Sequence, residues 1–200
     1  MRYEEYLKLK IEELAAEGFI PLERFPDLDI YMDQAAAFMN EELKIYKKKK
    51  NDQVITKTMI GNYVKHKMLP RPENKKYTRD HMVLLTIIYY LKGSFQMGEI
   101  EKLMKPLISN YNSEFDDKIN LMSIYEGLST LQETELQSLL SDTKEDIKTI
   151  KHHLSEAELS DDDMVELFML IVNLAIKADA QKYLAQKLLQ EYFMSPEKGG

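Results

Sequence analysis

Apolar residues recur three and four apart in segment after segment of this chain, and that period predicts helices. Tyr3, Leu7, Ile11 and Leu14 share one face of a first helix, which Gly18 is expected to end with a positive φ. "FIPLERFPDL" (19–28) reads as a connector, because Pro21 and Pro26 both interrupt a helix. A second helix is expected from about Leu28, with Tyr31, Ala35, Phe38, Met39 and Leu43 inward, running on into Lys47–Lys50. Thr56 suits an N-cap for the next, where Ile60, Tyr63, Val64 and Met68 face a core and Pro70 and Pro72 enforce a stop. Thr78 caps "TRDHMVLLTIIYYL", whose unbroken apolar run implies deep burial, and Gly93 ends it. A helix from about Met97 is expected to kink or end at Pro106. Beyond Ser109 the pattern predicts two or three long helices, the last opening on Asp161–Asp163, where carboxylates suit a helix N-terminus.

Composition supports a helical, globular chain: 44% hydrophobic and 30% charged residues, with only 7 Gly and 6 Pro among 200. The absence of cysteine rules out disulfides, thiolate metal sites and a cysteine nucleophile. The start, "MRYEEYLKLKIEEL", has no apolar core of a secretion signal, and the longest apolar runs fall short of the ~20 residues of a membrane span. A cytoplasmic protein is expected.

Charge changes the picture most. The net charge is −7, yet residues 44–92 hold 13 basic and 3 acidic side chains, +10, while the flanking segments are acidic. Such asymmetry is the mark of a module that meets a polyanion. The cationic stretch "ITKTMIGNYVKHKMLPRPENKKYT" (55–78), with the buried helix and "SFQMGEIEKL" after it, resembles the MerR-type winged helix-turn-helix of bacterial regulators. Ile55–Thr56 match that family's cap pair, Ile60 its apolar position, Tyr63 its second aromatic and Met68–Leu69–Pro70 its helix end. Lys75–Lys76–Tyr77 stand at the end of its wing, and Phe95–Ile100 match its last element. The resemblance covers about residues 30–108; it departs where Gly61 replaces an arginine, Asn62 an aromatic and Lys75 the wing's arginine. The chain also looks like a group of small bacterial proteins catalogued only as a domain of unknown function.

The resemblance implies an all-α or nearly all-α fold: an N-terminal helix and connector (1–27), a winged module (28–108), a C-terminal helical domain (109–194) and a disordered tail (195–200). It implies double-stranded DNA as partner. Lys57, Lys65, Lys75 and Lys76 are expected to neutralise phosphates. Asn62 suits adenine, and Lys65 or His66 a guanine edge, while Gly61 leaves room for close approach. Thr58, Arg71, Lys48 and Lys49 complete the expected DNA-facing set, and Tyr77 either packs under the wing or donates to a phosphate. The bland reading of 57–66 is a solvated face. His152–His153 with Glu156 and Glu158 form at most an adventitious metal site, so no metal or cofactor is expected. The methionines 97, 104, 122, 164 and 169 read as core rather than an effector pocket. No Gly-rich phosphate loop, G-x-S-x-G or H-E-x-x-H occurs, and no enzymatic activity is expected. The expected function is transcriptional regulation by DNA binding; the alternative is an adaptor that keeps the winged helix as a protein-docking surface. Residues 164–178, apolar on more than one face, suggest a homodimer, with an intrachain bundle as the competing explanation.

Overall fold

The computed structural model describes residues 3–111, 120–157 and 163–194. The expected tail (195–200) and the capping role of Asp161 and Asp162 lie outside these residues. The fold is nearly all helical, with one antiparallel pair of two-residue strands among the described residues. Helix α1 (Tyr3–Glu17) is followed by a 3-10 turn (Leu22–Arg24), strand β1 (Ile30–Tyr31) and α2 (Met32–Glu42). A second 3-10 turn (Lys44–Tyr46) leads to α3 (Lys57–Lys65), strand β2 (Lys76–Tyr77), α4 (Arg79–Leu91) and α5 (Met97–Tyr111). Two long helices, α6 (Leu121–Glu156) and α7 (Asp163–Leu189), complete the chain, α7 running into a π-helical turn (Gln190–Met194).

Helix α4 is the centre of the larger core. Its apolar run buries Met82, Val83, Leu84, Leu85 and Ile88, against Ala35 and Met39 of α2 and Ile60 and Tyr63 of α3. The same core takes in Ile20 and Phe25 of the connector and Tyr125 of α6, and so crosses both expected boundaries, 28 and 108. Tyrosine hydroxyls hold the connector: Tyr46 and Tyr90 donate to the Gly18 carbonyl (2.7 and 2.5 Å) and Tyr125 to Ile20 (2.7 Å). Phe19 stacks on Tyr90 and Tyr125 between them. Burial pushes the Tyr90 and Tyr125 hydroxyls well above the usual tyrosine range, so they stay protonated donors. A smaller core joins α1 to the far end of α6 and the start of α7 through Ile147, Ile150, Leu154 and Leu170. There the Tyr3 hydroxyl donates to the buried Glu166 carboxylate, and Lys151 bridges Glu4 at 2.6 Å.

Three local expectations are corrected. Helix α2 stops at Glu42, before the lysines, and Tyr31 is its exposed N-terminal flank rather than an inward residue. Burial of Leu43 and insertion of Tyr46 beside Tyr89 and Tyr90 turn the chain there, which outweighs the helical preference of the lysines. Helix α5 does not end at Pro106, one of the two outcomes expected there, because Met104 before it and Leu107 after it both pack on the larger core. Gly18 ends α1 without a positive φ; it is required because a Cβ would stand 2.3 Å from the Leu14 carbonyl oxygen.

Candidate nucleic-acid interface

Helix α3 is built as expected. Thr56 caps it, its hydroxyl accepting from the Met59 N–H at 3.1 Å, and Ile60 and Tyr63 turn into the core. The opposite face presents Lys57, Thr58, Asn62, Lys65 and His66, all exposed, with Gly61 half-buried among them. Nothing stands within 4 Å of a Cβ placed on Gly61, so no contact within the chain demands glycine there. Lys57 is not a bare charge, since its ammonium pairs with Asp33 of α2 at 2.9 Å.

The helix closes in a left-handed residue, Lys67 at φ 56°. The Met68 N–H donates to Tyr63 at 2.9 Å and the Lys67 N–H to Val64 at 3.2 Å, the paired bonds of a Schellman ending that normally uses glycine. Met68 and Leu69 plunge into the core and return the chain to the surface at Arg71, which is exposed. The wing is a tight hairpin. Glu73 bridges Lys76, the Lys76 N–H donates back to Glu73 at 2.8 Å, and the central residues Asn74 and Lys75 both have positive φ, as a type I′ turn requires. Lys75 is therefore exposed at the tip, whereas Lys76 is half-buried with its ammonium 6.0 Å from the Tyr31 ring. The wing returns through β2, which pairs Tyr77 with Ile30 and Lys76 with Tyr31.

Tyr77 is corrected. It is 1% exposed and packs edge-on to His81, so it supports the wing from below and has no path to a phosphate. His81 in turn ties the wing to α4: its Nδ1 accepts from the Thr78 N–H at 3.1 Å, and the Pro70 carbonyl lies close enough to favour the protonated ring. Burial lowers the His81 pKa below 6.5, against the opposing pull of that carbonyl and of Asp80 and Asp29.

Lys48 and Lys49 lie exposed in the loop before α3, together with Lys50. That loop is held by Asn40, whose side chain donates to Ile55 (2.6 Å) and Ala36 (2.8 Å) and accepts from the Val54 N–H (2.7 Å). Lys92 donates to Val54 at 2.8 Å from α4's end. Lys47 and Lys50 join Asp33, Asp52 and the start of α3 around an open groove of about 740 Å³. Asn40, Lys50 and Lys67 are missing from the set read in the sequence. Asn40 looks like any polar residue late in a helix, and no local pattern marks its contact with residues 54–55.

Elsewhere, His152 pairs with Glu156 at 3.5 Å on an exposed helix turn, and Glu158 is outside the described residues. No group of three potential metal ligands occurs among the described residues. The five methionines do not converge: Met104 is in the larger core and Met122 packs on it, Met169 packs on the smaller one, and Met97 and Met164, expected in a core, are exposed. Among the described residues no helix is long and apolar enough to cross a membrane.

Neither the curated proteins nor the solved structures compared with the chain contain a match to it. One sequence family does match, and no MerR-type or other helix-turn-helix family does. Its span, residues 20–128, opens on Ile20 and closes just past Tyr125, the two ends of the larger core. With just over half of its length matched, the chain belongs to the family described as Domain of unknown function (DUF1836).

Proposed function

We propose that this chain is a cytoplasmic DNA-binding regulator and that residues 28–108 form a MerR-like winged helix-turn-helix. The observation that carries the reading is the exposed cationic and amide-bearing face of α3, with lysines before it at 48–50 and a cationic wing tip after it. A short helix with a buried back and a polar front suits the major groove, and lysines beyond its two ends suit the flanking phosphates. Lys48, Lys49, Arg71 and Lys75 supply charge; Thr58, Gly61, Asn62, Lys65 and His66 face the bases, Lys65 adding charge as well. Lys57 exchanges Asp33 for a phosphate, and Lys76 does the same from its perch over Tyr31.

A second reading, a protein-docking adaptor, draws on the carboxylates of Asp33 and Asp52 in the groove beside α3, since mixed charge suits a protein surface better than DNA. A mobility-shift series with duplex DNA from about 50 to 200 mM salt separates the two. For the regulator, log K falls linearly with log salt, and Lys75→Glu with Lys76→Glu weakens all sequences alike. Asn62→Ala and Lys65→Ala instead lose ~1–3 kcal/mol of discrimination per base contact. No binding at 50 mM overturns the regulator and leaves the adaptor.

A further inference from the structure

Helix α6 sorts its charges. Its three lysines, Lys144, Lys148 and Lys151, all line one open slot against α1, and none of its own carboxylates does. Lys8 of α1 brings a fourth ammonium from the other wall. Glu4 and Glu5 are the only carboxylates lining it among the described residues, so four lysines against two glutamates leave the slot at +2 in a chain of −7. Pairing does not use up this charge. Lys151 is held between Glu4 at 2.6 Å and the buried Glu166 at 3.6 Å. Lys148 bridges only the exposed Glu145 at 2.9 Å, Lys8 reaches Glu12 at a loose 3.7 Å, and Lys144 has no ion pair among the described residues. Lys144 and Lys148 stand four apart on one helix face, where like charges repel.

The floor between these charges is apolar. Leu7, Leu140 and Ile147 form it with Thr143, whose hydroxyl is committed to the Leu139 carbonyl at 2.6 Å. Lysine stems extend such a floor while their ammoniums stay in water. The slot holds about 450 Å³, within the range of about 300–1,000 Å³ that small-molecule sites occupy. We infer that it binds an amphiphilic monoanion, an acyl chain ending in a carboxylate. The chain lies along Leu7, Leu140 and Ile147, and the carboxylate accepts charge-assisted hydrogen bonds from Lys144 and Lys148. A neutral apolar ligand would leave the two ammoniums repelling each other at the rim, and a small hydrophilic anion would leave the floor in water. The slot shares no residue with α3 or the wing, so this site stands or falls independently of DNA binding.

The test titrates the full chain with sodium decanoate, below its micelle concentration, by isothermal titration calorimetry. One decanoate should bind per chain with a Kd of about 1 mM or tighter. Decyltrimethylammonium, with the same chain length and the opposite charge, should bind about tenfold more weakly, and so should decanoate to the double variant Lys144→Gln, Lys148→Gln. Leu140→Trp, which fills the floor, should abolish binding with unchanged circular dichroism. The chain has a second apolar surface that could adsorb decanoate: every residue of α7 from Ala175 to Leu184 is exposed, Ile176 by 62%. Ile176→Glu should therefore leave the affinity unchanged. The inference is overturned by the absence of saturable binding, by equal affinity for the cation, by binding that survives both slot variants, or by binding lost in Ile176→Glu.

Discussion

Lys67 occupies a backbone conformation in which a side chain crowds its own carbonyl, and glycine does not. Lys67→Gly should therefore raise stability by about 1 kcal/mol, read as an increase in Tm, whereas Lys67→Ala, which keeps the crowding, should not. A lysine held there at that cost is what a surface needing positive charge at the end of α3 would retain. His81 makes a second residue-scale prediction. Burial holds its folded pKa below 6.5, so the unfolded chain takes up the proton first. Its contribution is present in full above about pH 6.5 and is lost as pH falls through the folded value. Urea unfolding should show stability declining from pH 7 toward pH 5, and His81→Gln should flatten that decline. An unchanged slope would remove His81 as the cause.

At the scale of elements, α3 and the turn before it depend on one side chain outside both. Asn40 satisfies the backbone at Val54 and Ile55, the two residues that deliver the chain to the Thr56 cap. Asn40→Ala leaves those groups without their partner and should cost about 1–3 kcal/mol. The loop amides 47–55 should lose hydrogen-exchange protection, and α4 should keep its own. Gly61→Ala isolates the helix from its function. Replacing glycine where a Cβ meets nothing should stabilise α3 by up to ~1 kcal/mol. If α3 enters a groove, the same methyl group should weaken DNA binding, so a stabler protein with poorer binding is the expected outcome.

Over the whole molecule, α6 is a single helix of 36 residues, about 54 Å long, with one end in each hydrophobic core. Among the described residues the larger core contains twenty buried residues and the smaller one four, so they should not open together. Native-state hydrogen exchange should find α1 and residues 145–155 opening at lower free energy than α4. Coincident exchange would show that α6 couples the two cores into one cooperative unit. The span shared with the family ends where α6 leaves the larger core, so the rest of α6, with α1 and α7, lies outside that span.

Helix caps and apolar faces were legible along the chain because they are settled within one turn. Thr56 and Thr78 find their N–H partners three residues on, and the burial of α4 follows from its unbroken apolar run. The cationic face of α3 was legible for the same reason, as positions 57 to 66 separate by helical period into core and surface. Other features depend on residues remote in sequence. Leu43 and Tyr46 end α2 ahead of four lysines because their burial outweighs propensity. Asn40 reaches Ile55 only after α2 has turned, and Tyr77 loses its access to solvent only when the wing closes over it. The apolar face of α7 was equally visible in sequence as core or as seam. Its exposure is decided by which side the neighbouring helices cover, at its two ends and where Lys177 pairs with Asp146 of α6, which is a property of the packed chain and not of the helix.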